Sequence, residues 1–311
     1  MSSVRPLPPV LAEKARVELN EDPQRLSSDL QHLKDWISRQ NHLSARTDDQ
    51  WLAAFLRGSK FSLERAKEKI DLYYSVQSTS PELFSLTPKH PRAFLILPKT
   101  QGPGFPKLSI IRPGKYNAAK VTISEVMSIL FMEDDDAVVS GETIILDLAD
   151  VTMAHFLQMT PMILKKIATV AQDAAPLRMK GVHCLNTPPG FETIFNAMKA
   201  LLNEKNKNRV SECTVWCFSQ STTCSALILT LHEPLPVTFV IKCTMVEFYL
   251  TAYCTYLLYF TEYWKVKIQE YDRWLEEDTK YGTDESKRHC KATASQTTFG
   301  VEGAFRKLEF D

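Results

Sequence analysis

The chain has 311 residues, of which 44% are hydrophobic and 24% charged, with 37 Lys and Arg balancing 37 Asp and Glu. Zero formal net charge excludes the global positive field that draws nucleic acid, so an anionic partner must meet a local patch. The length accommodates one large domain and a smaller one, and seven cysteines behind an N-terminus without an apolar leader predict free thiols in a reducing, cytoplasmic compartment.

Taken in order, residues 1–22, interrupted by Pro6, Pro8 and Pro9, predict a loosely held arm. From Ser28 to Arg39, Leu30, Leu33, Trp36 and Ile37 recur at helical spacing. Thr47 and Gln50 fit a capping box ahead of Trp51, Leu52, Phe55 and Leu56. Gly58 ends that helix, and Ser62 opens another whose Leu63, Ala66, Ile70, Tyr73 and Tyr74 make one apolar stripe. Residues 1–90 therefore read as a small helical bundle with its aromatics in the core.

Beyond Phe84 the pattern changes. Residues 94–97 and 108–111 are short β-type runs around a turn-rich insert at 101–106. Thr122 and Glu125 form a capping box for a helix carrying Ile123, Val126, Met127, Leu130 and Phe131 on one face. The acidic run 133–136 reads as solvated charge rather than a metal site, because consecutive carboxylates on a helix point apart. Residues 141–209 then give a strand (144–148), a helix (152 to about 173), a strand (179–185) and a helix opened by Thr187-Pro188-Pro189-Gly190. Two strands joined by a long helical crossover predict a right-handed parallel βαβ unit, and so an α/β fold.

Residues 210–261 break the composition. They hold five of the seven cysteines and nine threonines, but Glu212, Glu233, Lys242 and Glu247 are their only charged residues. The apolar run 245–260 is interrupted by Glu247 and is short for a bilayer span, so no transmembrane helix is expected. Cys213 and Cys217 lack the paired partners of a zinc site. Charge returns at Glu262, where Tyr263, Trp264, Ile268, Tyr271 and Trp274 predict a last helix before an extended tail.

No catalytic spacing is present: no nucleophile elbow, no phosphate loop and no dinucleotide fingerprint. Asp147 reads as a cap for the segment after its strand, His183 as a satisfied core histidine and Cys184 as a small buried hydrophobe. Phe191, Ile194, Phe195, Met198 and Leu202 form a helical stripe for which plain core packing is the leading reading. Arg178 and Lys180 alternate on one side of a strand, Lys205 and Arg209 share a helix face, and Lys207 turns away from them. A solvated helix end accounts for this excess; a site for lipid phosphates is the sharper alternative.

Several runs carry a family resemblance: Asp48-Asp49-Gln50-Trp51-Leu52 onward through Ala66, Ile145-Leu146-Asp147-Leu148, residues 158–167, and Gly181-Val182-His183 with Asn186 and Pro188. Together, over roughly residues 30–209, they resemble the CRAL-TRIO (Sec14-like) family in its tocopherol-transfer and clavesin-like branch, as does the tail at 299–308. The resemblance implies a helical module (1–90), a lipid-binding domain (91–270) with a mainly parallel sheet, helical walls and a lid helix, and a C-terminal helix end and tail (271–311). It implies a non-enzymatic carrier of a small lipophilic ligand (tocopherol, retinoid, another terpenoid or a phospholipid-like molecule) that works at phosphoinositide-containing membranes without a metal or cofactor. The matching pocket positions are Leu146, Met159, Ile167, Val170, Ala171, Leu177, Met179 and Val182. Phe191, Ile194, Phe195, Met198 and Leu202 match the lid, and Arg178, Lys180, Lys205 and Arg209 match phosphoinositide-binding positions. From Val210 to Thr261 the resemblance breaks. That segment reads as intron-derived or as an alternative exon whose presence removes a strand and uncovers a sheet edge. A lipid-sensing regulatory module, and an isoform disabled by 210–261, are the alternatives.

Overall fold

Leu11, Ala15 and Leu19 stand four residues apart, so they share one helical face, and all three are buried. They belong to α1 (Pro9–Leu19), which packs on Val139 with Leu7 and Phe61 at its margin. The arm expected at 1–22 is thus a docked helix over half its length. Pro8 and Pro9 start it rather than break it, because a proline at the first helical position loses no hydrogen bond. The computed structural model describes residues 4–80, 94–97, 106–115, 132, 134–212, 227–228, 240–241, 266, 269–271 and 273–288.

Three further helices, α2 (Pro23–Ser38), α3 (Asp49–Gly58) and α4 (Leu63–Thr79), enclose a core of Leu30, Leu33, Trp51, Phe55, Tyr73 and Tyr74. Trp51 meets Phe55 and Tyr73 edge to face, with centroids 5.4 and 5.6 Å apart. Its indole donates to the Tyr74 hydroxyl at 3.1 Å. The capping box expected at Thr47 and Gln50 is absent: Asp48 is the N-cap, and the Gln50 carboxamide accepts from the Arg5 amide and donates to Asp135. Gly58, the last residue of α3, is glycine for a steric reason. A Cβ there would lie 2.7 Å from the Pro176 carbonyl oxygen, so only glycine lets the two backbones approach.

The module is closed by the far end of the chain. A helix through residues 273–278 leads to β9 (Gly282–Thr283), which pairs antiparallel with β1 (Leu43–Ser44). Arg288 grips Asp71 through two nitrogens at 2.7 and 3.1 Å. Described residues of the last segment through Arg288 therefore fold back on the first module instead of trailing away.

The second part is a five-stranded sheet in the order β2 (Phe94–Leu97), β3 (Lys107–Ile111), β4 (Glu142–Asp147), β5 (Met179–Leu185) and β6 (Val210–Glu212). β2 is antiparallel to β3 and the other pairings are parallel, giving the mixed α/β architecture with a mainly parallel sheet that the βαβ reading predicts. The crossover from β4 to β5 is not one helix over 152–173. It is α6 (Met153–Gln158), α7 (Pro161–Thr169) and a π-helical turn (Val170–Ala174). Pro161 cannot donate to the preceding turn, and the Thr160 hydroxyl caps the restarted helix at the Ile163 amide.

Two other expectations are corrected. The acidic run is not simply solvated charge. Ahead of and within α5 (Asp135–Val139), Asp135 pairs with Arg5 and Arg57, Asp134 pairs with buried Lys107, and Asp136 is itself buried. The divergent segment does not leave β5 bare, since its first residues form β6. The helix expected at 122–131, most of the insert at 101–106, the Cys213–Cys217 pair, the apolar run 245–260 and the tail at 299–308 lie outside the described residues. Within 210–261, β7 (Leu227–Ile228) and β8 (Val240–Ile241) pair antiparallel. No helix among the described residues is long and apolar enough to cross a membrane.

Candidate functional site

Gly190, at φ +87°, turns the chain out of β5 into α8 (Phe191–Ala200), whose inward stripe lies against the sheet. Phe191, Phe195 and Leu202 form one buried cluster with Leu148, Ala168, Cys184 and Val210, flanked by half-buried Leu146, Phe156, Val182 and Met198. The Phe191 and Phe195 rings are 5.7 Å apart, and Phe156 and Phe191 are 6.5 Å apart. Ile194 is half-buried beside them. In this conformation the stripe packs on the sheet face.

The sequence-matched pocket positions separate into groups. Leu146 and Val182 lie in the α8 cluster, Val170 packs against the helical module's core, and Met159 and Ile167 are half-buried in the broken crossover. Ala171, Leu177 and Met179 instead line a cavity of about 1540 Å³ between the helical module and the sheet domain. All four predicted phosphate-binding residues, Arg178, Lys180, Lys205 and Arg209, line this same cavity.

Three cations that the sequence reading did not single out complete its wall: Lys60 just after α3, and Arg65 and Lys69 on α4. The i, i+4 spacing of Arg65 and Lys69 is visible in the sequence, but nothing local shows that this face of α4 looks onto β5. Glu18, Glu68, Asp71 and Asp173 supply the opposing charge, so the lining carries seven cations against four carboxylates.

The cations differ in their commitments. Arg178 donates to the Val139 carbonyl and to Glu18 at 3.1 Å, and Arg209 donates to the Met179 carbonyl. Burial raises the Glu18 carboxyl, but the Arg178 hydrogen bond and nearby Lys14 and Lys180 bring it below its usual range. Burial depresses Lys180, and Arg178 adds to the effect. Lys205 is also depressed, first by burial and then by Arg209, Lys60, Arg178 and Arg65. Four cations thus surround the Lys205 ammonium and oppose its protonation. Burial lowers Lys69 to about 8, and its amine donates to the Gln172 and Ala175 carbonyls at 3.2 and 3.0 Å. Lys207 turns aside and pairs with Glu204 at 2.6 Å.

The remaining polar candidates have structural work. Asp147 accepts from the Ala149 amide at 3.1 Å and from Asn186 at 2.8 Å, which makes it the cap its position predicts. His183 shares a 2.8 Å hydrogen bond with Ser211 across β5 and β6, and burial lowers its pKa. Cys184 is fully buried in the α8 cluster. Facing outward, Met153 and Leu157 of α6 are 67% and 74% exposed, one turn apart on the helix.

Residues 22–89 match the Pinta-like UBA domain, and residues 107–216 match the CRAL/TRIO domain. The second match runs seven residues into the 210–261 segment, consistent with β6 being part of the sheet. The alpha-tocopherol transfer protein-like sequence of Homo sapiens is 32% identical over 213 residues, 64% of this chain and 62% of that relative. Clavesin-2 of Homo sapiens is 26% identical over 223 residues, 66% of this chain and 67% of its own length. The chain thus spans less than two thirds of the first relative. The crystal structure of Sfh5 aligns with a TM-score of 0.38 at 10% identity, over 67% of this chain and 82% of that one. Residues 107–216 of this chain thus match the CRAL/TRIO domain, the family that the sequence resembles.

Proposed function

We propose that this protein binds a small lipophilic ligand and carries it between membranes, with release assisted by phosphoinositide headgroups. The ligand class is a tocopherol, retinoid, other terpenoid or phospholipid-like molecule. The observation that carries the reading is the convergence of Arg178, Lys180, Lys205 and Arg209 on one cavity that abuts the end of α8. The similarity to an alpha-tocopherol transfer protein-like sequence over 213 residues supports it. With α8 lifted, the apolar faces of Phe191, Phe195, Leu146 and Val182 would hold such a guest by area alone, at about 25 cal/mol per Å² removed from water, with no reacting group required. A headgroup that prefers the state with α8 swung away shifts the population toward opening at the bilayer. The Met153 and Leu157 side chains give that encounter an apolar foothold.

Native mass spectrometry with lipid extraction, followed by vesicle-to-vesicle transfer of the extracted lipid, tests the reading. A stoichiometric hydrophobic guest that moves between vesicles is the expected result; an empty, aggregated protein points to an isoform disabled by 210–261. Substituting Lys205 and Arg209 together should weaken binding to phosphatidylcholine vesicles containing phosphatidylinositol bisphosphate, and unchanged binding would remove the headgroup site. A second reading, a phosphoinositide sensor that recruits a partner, is favoured by the tight seating of Phe191 and Phe195 on the sheet. Vesicle binding without lipid transfer is its signature.

A further inference from the structure

Gln172 sits in the π-helical turn between α7 and β5 and lines the cavity. Both ends of its carboxamide are used, and all three bonds go to the joint between α8 and α9 (Glu204–Lys207). Its oxygen accepts from the Asn203 amide at 2.8 Å and from the Asn206 side chain at 3.3 Å. Its nitrogen donates to the Leu201 carbonyl at 3.3 Å. Leu201 is the C-cap of α8 and Asn203 the N-cap of α9, so one side chain satisfies a free backbone group at each of two helix ends. No other side chain of that length offers both a donor and an acceptor in this fork.

The support behind Gln172 is firm. Its own carbonyl and that of Ala175 accept from the Lys69 amine, which ties the π turn to α4 of the helical module. The joint it holds is contiguous with Lys205, whose ammonium is opposed by Arg209, Lys60, Arg178 and Arg65. We propose that Gln172 is a latch that keeps α8 closed on the sheet by bonding the α8–α9 joint, and that an anion drawn to Lys205 and Arg209 releases it. The release half rests on the cavity's being an anion site, as proposed above; the holding half does not.

Hydrogen exchange on the full chain tests both halves, with Gln172→Ala, Gln172→Glu and soluble inositol trisphosphate as the probe. Three bonds of ordinary strength predict that amides of residues 191–203 exchange at least tenfold faster in Gln172→Ala without any ligand. Gln172→Glu keeps the acceptor for Asn203 and Asn206 but loses the donor to Leu201, so it should fall between wild type and Gln172→Ala. The soluble probe should accelerate the same amides in wild type and add little in Gln172→Ala. Unchanged exchange at 191–203 in Gln172→Ala overturns the latch. So does an acceleration spread equally through α3 and α4, which marks general loosening. Accelerated variants beside a wild type indifferent to the probe overturn the release step and the anion reading while the latch stands.

Discussion

The Arg46 guanidinium donates to Asp278 at 2.7 Å across 232 residues of sequence, inside the helical module that neither residue's neighbours identify as shared. Arg46 is 2% exposed, bonds the Trp274 carbonyl and lies 3.8 Å from the centre of the Trp274 ring. Burial raises the Asp278 carboxyl despite the Arg46 bond, the mark of a pair that costs desolvation and fixes geometry. Removing one partner strands the other. Arg46→Ala should destabilise the protein by about 3–5 kcal/mol in denaturant titration. A chain ending before residue 273 should lose the protection of Trp51 and Tyr74 even though both lie far upstream. Cooperative unfolding of that shortened chain at the wild-type midpoint would refute the clamp.

Much of this was legible in the sequence, and what was not has a physical cause. Strand 179–185 reads from its short, mainly apolar run after a helical crossover, and the stripe from Phe191 to Leu202 reads from its period. The break at Pro161 is legible only when proline is weighed above a continuous apolar stripe. The acidic run misleads because its cations are remote: Arg5 lies 130 positions from Asp135, and Arg57 lies 78. Four of the cavity's cations follow from local pattern together with the family resemblance. Lys60, Arg65 and Lys69 do not, because their role depends on docking between modules.

A buried acid gives the protein a pH dependence unrelated to ligand. Glu142 opens β4 with no exposed surface; one oxygen accepts from Ser109 and the other has no partner. Burial raises its pKa from 4.5 to about 7; Asp134 adds to the rise, while the Ser109 bond and Lys107 oppose it. A folded pKa above the unfolded one means the native state holds a proton that the unfolded chain sheds. Stability from this group is therefore complete below pH 4.5 and is lost as pH rises to about 7, by an amount on the order of 3 kcal/mol. Glu142→Gln cannot titrate, so its melting temperature should fall less than that of wild type between pH 5 and pH 8. Parallel pH profiles for the two proteins would show that Glu142 is ionised in the native state.

The cations contributed by the helical module make a separate prediction. Lys60 and Arg65 both oppose Lys205 across the cavity. If a polyanion bridges the modules, Lys60→Ala with Arg65→Ala should weaken vesicle binding at about 1 kcal/mol per charge, hence by tenfold or more. The loss should shrink as salt is raised toward the point where the Debye length falls below the width of the site. Lys207→Ala is the control, because Lys207 pairs with Glu204 and does not line the cavity. Equal losses from Lys207→Ala and from the double variant would show that the vesicle senses only net charge.

Exposure at α6 separates membrane contact from folding. Met153 and Leu157 are 67% and 74% exposed, so replacing both with serine removes little buried area and should leave the melting temperature within about 1 °C of wild type. On a bilayer the same side chains would leave water, and burying each is worth about 1.5–3 kcal/mol when complete. The double serine variant should therefore bind phosphatidylcholine vesicles at least tenfold more weakly, with lipid transfer slowed in proportion. This loss should persist at high salt, where the contribution of Lys205 and Arg209 is screened. Retained binding with a lowered melting temperature would place these side chains in a protein interface instead of a membrane surface.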